Sequence, residues 1–409
     1  MKKFLRNCLL WLSFLFAISC HKNEEAPTAT VTLLKSDSYP SYLSYWAIIS
    51  DQSGKVLAWK SLPASVSTSL TFPNKDSVNL TIIKKYAGSG NSSDYYDLVT
   101  YENVAPGSYS SPAPVQEPTI LGTYKVQFPS PNDYSNFRVD SDCNSTRNTD
   151  NTEYTVNVCA NSSLFISISK TNVSIPRYLY MPMISVNGSV AIDQTMFNSL
   201  PEMKSKTISL GDSYTGAFTY VYGIKEGSSY EIGISSSSSS TPNSLPIFYP
   251  DQIGSALDYL LVSVLSKPNI NIVYGSTVKD ITSYTISVFT PTLDGVTSAT
   301  PSRLDYNLSG SADYVVTYFN SSNATWNMYS SFSKKVSTVL PIFPDDLKKE
   351  IDFSFVSTLK LQFISIGETD LGGYTSYYTN EILGEKKRAN NTKSKQYTPK
   401  TDGSIGGGG

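Results

Sequence analysis

Five stretches of the chain keep a period of two between apolar and polar positions or run apolar over the length of a strand. They are "VNLTIIKKY" (78–86), "YTVNVCA" (154–160), "SLFISIS" (163–169), "YTISVF" (284–289) and "LKLQFISI" (359–366). β-branched and aromatic residues fill them, and clusters of Pro, Gly, Asn and Ser separate them, which is the signature of strands ended by turns. No apolar period of 3.6 persists over three helical turns. Many short strands without intervening helices predict an all-β chain of tandem β-sandwich, immunoglobulin-like domains rather than βαβ units.

The pattern also repeats. "YVVTYFNSSNATWNMYSSFSKKVSTVLPIFPDDL" (314–347) reads strand, turn, strand, connector, strand. "TYVYGIKEGSSYEIGISSSSSSTPNSLPIFYPDQI" (219–253) carries "LPIF" at the same distance from its start. A worn third copy is "YWAIISDQSGKVLAWKSLPASVSTSLTFPNKD" (45–76), in which "VSTSLTFPNKD" echoes "VSTVLPIFPDD". Each copy has an aromatic on its second strand, Trp59, Tyr230 and Trp326, expected to pack on a core, with stacking on a sugar as the alternative. Pro344-Asp345-Asp346 is read as the N-cap of a single helical turn. Ser235–Ser240 falls inside the second copy and is read as an exposed connector. The resulting domains are 31–116 (β-sandwich), 117–290 (a larger β domain) and 291–384 (β-sandwich), followed by a disordered basic and glycine-rich tail, 385–409.

The N-terminus has a different character. Lys2, Lys3 and Arg6 precede the apolar run "CLLWLSFLFAI" (8–18), which is too short for a comfortable bilayer span and has the parts of an export signal. Ala17-Ile18-Ser19-Cys20 resembles the lipobox of bacterial lipoproteins, and Glu24-Glu25 just behind it resembles the surface-export tags of Bacteroidota lipoproteins. That resemblance implies a signal peptide over 1–19, acylation of Cys20, a lipidated flexible tether over 20–30, and anchorage in the outer membrane. His21, the single histidine of the chain, then lies in the tether.

Composition narrows the chemistry. Loss of residues 1–19 removes three positive charges and no acid, so the formal charge moves from −2 to −5. A mildly acidic body argues against nucleic acid, which needs a basic stripe. With His21 in the tether, Ser-His-Asp and Cys-His hydrolases and imidazole zinc sites lose their central residue. There is no phosphate-binding loop and no dinucleotide fingerprint. "DSDCNSTRNTDN" (140–151) opens like an EF-hand loop but has Ser145 in place of the turn glycine and Asn151 in place of the bidentate glutamate. It is read as a polar hairpin loop. Cys143 and Cys159, the two cysteines left in an exported body, are expected to form a disulfide, two free buried thiols being the alternative.

Together these readings predict a non-enzymatic outer-membrane or cell-surface lipoprotein that binds an extracellular glycan or protein. No cofactor, metal or nucleic-acid partner is expected. Its layout is similar to that of accessory lipoproteins of polysaccharide-uptake systems and of pilus or adhesin subunits. The alternatives are a glycoside-processing enzyme using paired carboxylates, and a structural or adhesin subunit.

Overall fold

A computed structural model describes residues 27–400 apart from 35–42, 65, 89–92, 111–118, 131–135, 144–145, 151, 171–174, 226–227, 237–241, 252–257 and 384–390. Residues 1–19, expected to be a signal peptide, lie outside the described residues, as do Cys20, His21 and most of the Ser235–Ser240 connector.

The chain is all-β, and one six-strand unit occurs three times. Its first copy comprises Thr28–Leu34, Leu43–Ser50, Val56–Ser61, Ser67–Pro73, Val78–Tyr86 and Tyr95–Val104. The second comprises Lys204–Ser209, Gly216–Lys225, Ser228–Ser236, Ser244–Tyr249, Asp258–Lys267 and Ile270–Val278. The third comprises Arg303–Ser309, Tyr314–Asn320, Ala324–Ser331, Lys335–Val339, Lys360–Thr369 and Asn391–Tyr397. In every copy the first and fourth strands pair antiparallel in a small sheet. The other four form a block in the order third, second, fifth, sixth. Small sheet and block pack face to face, so each repeat is a sandwich closed by its own alternating apolar residues.

The three blocks fuse into a single 12-stranded sheet. Second and third repeats meet through their sixth strands, antiparallel, Ile270 opposite Tyr397 and Ser276 opposite Asn391. This join rotates one block by half a turn about the sheet normal, so both small sheets lie on the same face. Third and first repeats meet differently: Ala324–Ser331 runs parallel to Tyr95–Val104. That join turns the first block over and puts its small sheet on the opposite face. The cores follow. One unites the second and third sandwiches, including Val221, Leu261, Leu308 and Trp326. A second lies across the sheet under the first small sheet, including Val31, Ile49, Leu70 and Tyr101.

Flipping the first block leaves bare faces that two connectors of the third repeat cover. Residues 340–358, between its fourth and fifth strands, lie on the far side of the first block. There Tyr96 stacks on Phe355 at 4.6 Å, and Trp46 Nε1 donates to Glu350 at 2.8 Å. Gly54, at φ 82°, lets the hairpin of the first repeat approach closely: a Cβ there would meet Leu340 O at 2.3 Å, and Ile342 N–H donates to Gly54 O at 2.9 Å. The helix Tyr374–Leu383, between the fifth and sixth strands, covers the other side of the third block with Tyr374, Tyr378 and Ile382.

Residues 122–200 form a separate sandwich between the first and second repeats, with a core of its own that includes Val126, Val156, Ile166 and Phe197. Gly122–Gln127, Thr146–Asp150, Glu153–Val158 and Ser189–Ala191 make one sheet, and Asn136–Ser141, Leu164–Ser169 and Arg177–Met181 the other.

Several expectations are corrected. The segment taken as one domain, 117–290, contains the inserted sandwich and the second repeat. The tail expected to be disordered over 385–409 supplies Asn391–Tyr397, which pairs on both sides in the middle of the long sheet. "YTISVF" forms no strand: after a 3-10 turn at Ile281–Ser283 it runs unpaired, with Tyr284 and Phe289 buried. Lys206 Nζ donates to carbonyls at Thr282 and Tyr284 and so holds backbone groups a ladder would otherwise use. The shared tetrapeptide is not in register. Leu245 and Ile247 face the core within the fourth strand of the second repeat, whereas Leu340–Phe343 follows the equivalent strand, whose core residues are Val336 and Thr338.

Candidate functional site

The residues singled out in the sequence do not converge on one place. Cys143 and Cys159 are disulfide-bonded with Cα atoms 5.7 Å apart. Cys143 follows a strand of one sheet of the inserted sandwich and Cys159 a strand of the other, so the bridge ties sheet to sheet. Beside it Asp142 accepts from Ser163 N–H at 3.1 Å and Ser163 Oγ at 2.8 Å, a structural role for an acid of the calcium-like loop. Residues 144, 145 and 151 of that loop lie outside the described residues. Among the described residues no group of three or more His, Cys, Asp or Glu could hold a metal ion.

Trp326 is fully buried and donates through Nε1 to Thr100 Oγ1 at 2.9 Å, across the join between the third and first repeats. Trp59 is half-buried and packs on the large core. Its Nε1 donates to Asp346 at 3.1 Å, so Asp346 sits at the N-cap position of its 3-10 turn without making the cap bond expected of it. Asp345 pairs with Lys348 at 2.9 Å. The side chain of Tyr230 lies outside the description.

Sequence reasoning missed a groove of about 400 Å³ on the long sheet, lined by Tyr86, Tyr95, Asp97, Tyr318, Thr325 and Asn327. It sits on the parallel join between the first and third repeats, beyond the end of the covering helix. The register puts Asp97 opposite Thr325 and Tyr318 opposite Asn327. Tyr86 faces Tyr95 on one side, with ring centroids 6.1 Å apart. On the other side Tyr318 is backed by Phe363 at 4.9 Å. The result is a polar floor of Asp97, Thr325 and Asn327 between aromatic walls. Two interstrand spacings separate the walls, about 10 Å.

The floor is pre-arranged. Thr325 Oγ1 donates to Asp97 Oδ1 at 2.9 Å, and Lys84 Nζ lies 3.8 Å from Oδ2. The Asn327 amide carries both donors and an acceptor. Burial, followed by the nearby Tyr95 and Asp97, raises the Tyr318 phenol above its ordinary range, so it stays a neutral donor. No single repeat contains this set, because its two walls come from units 228 residues apart at the Asp97–Thr325 contact.

The most displaced acid lies elsewhere. Glu102 is buried, and burial pushes its carboxyl up to about 7, opposed by a hydrogen bond from Thr338. Thr338 belongs to the small sheet of the third repeat, on the face away from the groove, so Glu102 and Asp97 address opposite sides of the sheet. No helix among the described residues is long and apolar enough to cross a membrane. No protein-family model matches the chain, and no curated protein matches its sequence.

Proposed function

We propose that this is a lipid-anchored, non-enzymatic protein of the bacterial outer membrane or cell surface that binds an extracellular glycan in the tyrosine-walled groove. The groove itself carries the reading: aromatic faces on both sides of a short polar floor suit a pyranose, whose C–H faces pack on rings while its hydroxyls meet Asp97, Thr325 and Asn327. Asp97 accepts from sugar hydroxyls and repels carboxylated sugars, so the ligand is an uncharged glycan. One carboxylate lines the groove, whereas glycoside hydrolysis ordinarily uses a pair about 5 to 9 Å apart. Cys20 and the acidic tether support the anchor.

Two measurements test this. A screen of neutral and uronate-containing oligosaccharides against the intact chain should yield neutral binders only, with affinity lost in Tyr318→Ala and reduced in Asp97→Asn. Binding that survives both changes, turnover of the sugar, or preference for acidic glycans would defeat the proposal. Separately, Cys20→Ala should release the protein from the detergent phase.

A further inference from the structure

Each block of the long sheet has two faces, and in the first and third repeats both are packed. The second repeat is the exception. Ala217, Val221, Leu261 and Leu265 point into the shared core. By alternation their neighbours Phe218, Tyr220, Leu260, Val262, Val264 and Val273 point the other way. The register lines these up across three strands: Phe218, Val264 and Val273 in one row, Tyr220 and Val262 in the next. Phe218 and Tyr220 contact ring to ring at 5.4 Å. All six are half-buried, yet none belongs to any of the three cores.

The reason lies in one connector. In the third repeat the fifth and sixth strands are joined by residues 370–390, which include the covering helix Tyr374–Leu383. In the second repeat the same connection is Pro268 and Asn269 alone. This unit therefore lacks the local segment that shields its sister.

We infer that this face is a self-association surface, on which a second copy of the chain packs sheet against sheet about a two-fold axis near Val262. The size fits. The four strands of this block, Ser228–Ser236, Gly216–Lys225, Asp258–Lys267 and Ile270–Val278, span about 19 Å by about 30 Å, or about 570 Å² of flat sheet. Side-chain relief brings this toward the roughly 800 Å² per partner of a stable interface. Rows of apolar side chains at a two-residue period are the surface that aligned sheet packing uses, and a two-fold presents it to itself. The rim carries both signs, an Asp212–Lys267 ion pair at one end of the strands and Asp258, Lys279 and Asp280 at the other. Such a rim complements a copy of itself, whereas an anionic lipid surface would call for cations alone.

The test uses the full-length chain in its native membrane. With Cys143 and Cys159 bridged and Cys20 acylated, a Val262→Cys substitution adds one reactive thiol. Mild oxidation should convert it to a covalent dimer on a non-reducing gel. Val288→Cys, at a position 75% exposed and away from this face, should stay monomeric. Adding Tyr220→Glu to Val262→Cys should remove most of the dimer while leaving the amount of protein and the Cys143–Cys159 bridge unchanged. The inference fails if Val262→Cys forms no more dimer than Val288→Cys, if its partner is a protein of different mass, or if a photoreactive group at Val262 labels lipid. Glycan binding in the groove, measured on the same variants, is independent of each of these outcomes.

Discussion

The two joins of the long sheet use the same building block and differ in almost everything else. Where the third repeat meets the first, parallel strands bury Trp326 against Thr100, the first block turns over, and connectors cover the faces thus bared. Where the third meets the second, the joining strand is "NTKSKQY", of which only Tyr397 is buried. Lys395 points toward the core there, and its ammonium pKa is lowered, by burial first and by Lys267 second. The first join buries a tryptophan in the seam itself, whereas the second is made by a largely polar strand lying under the core that the two sandwiches share. A groove arises at the first because two units contribute walls to a floor that neither owns.

That contrast can be broken at several points. Trp326→Ala should have the largest effect, about 3 to 5 kcal/mol, since it empties a fully buried indole site and removes the bond to Thr100. Chemical denaturation of the variant should show the loss, together with weakened glycan binding from a loosened groove. The pair Cys143→Ser and Cys159→Ser should cost roughly 3 kcal/mol for a loop of about fifteen residues. Being confined to the inserted sandwich, it should lower the melting temperature without altering β content or the groove.

Glu102 gives a pH signature to the same join. Its folded pKa of about 7 lies above its ordinary 4.5, so its contribution to stability is full below about pH 4.5 and is lost as the pH rises through 7. The whole change is of order 3 kcal/mol. Melting temperatures of wild type should fall between pH 5 and pH 8 on this account, and Glu102→Gln should flatten the slope. Lys395→Met probes the opposite join and should give the smallest effect, a slight rise in melting temperature at neutral pH, since it removes a charge whose burial disfavours folding. A fall would mean that the Lys395 charge has a stabilising partner.

Legibility from sequence followed the chemistry of each element. Strands rich in β-branched and other apolar residues, such as Val78–Tyr86 and Lys360–Thr369, announce themselves in the sequence. The hairpin-plus-strand portion of the repeat was visible for the same reason. The full six-strand unit was not, because the first strand of one copy, "KSKTIS" in Lys204–Ser209, buries little and breaks the match with Thr28–Leu34 and Arg303–Ser309. "NTKSKQY" was hidden more completely: a strand bonded on both edges needs few apolar side chains. The helix Tyr374–Leu383 escaped because its buried stripe is built from tyrosines, which read as strand formers, over fewer than three turns. "LPIF" misled because four identical residues fix no register in a pattern that recurs every second position. The groove had no sequence signal, since its residues are scattered over 86–327 and only the parallel join gathers them.

The position of Asn391–Tyr397 also sets an order of events in time. Among the described strands it is the last to be synthesised, yet it fills an interior place, so the two halves of the sheet cannot unite until it has emerged. Before that moment Ile270–Val278 and Lys360–Thr369 each present an open edge, the kind of surface that recruits other chains. Contacts spanning hundreds of residues, such as Asp97 with Thr325, slow the search further. A chain ending at 390 should therefore collect in aggregates, even though the strand it lacks adds only Tyr397 to the hydrophobic core.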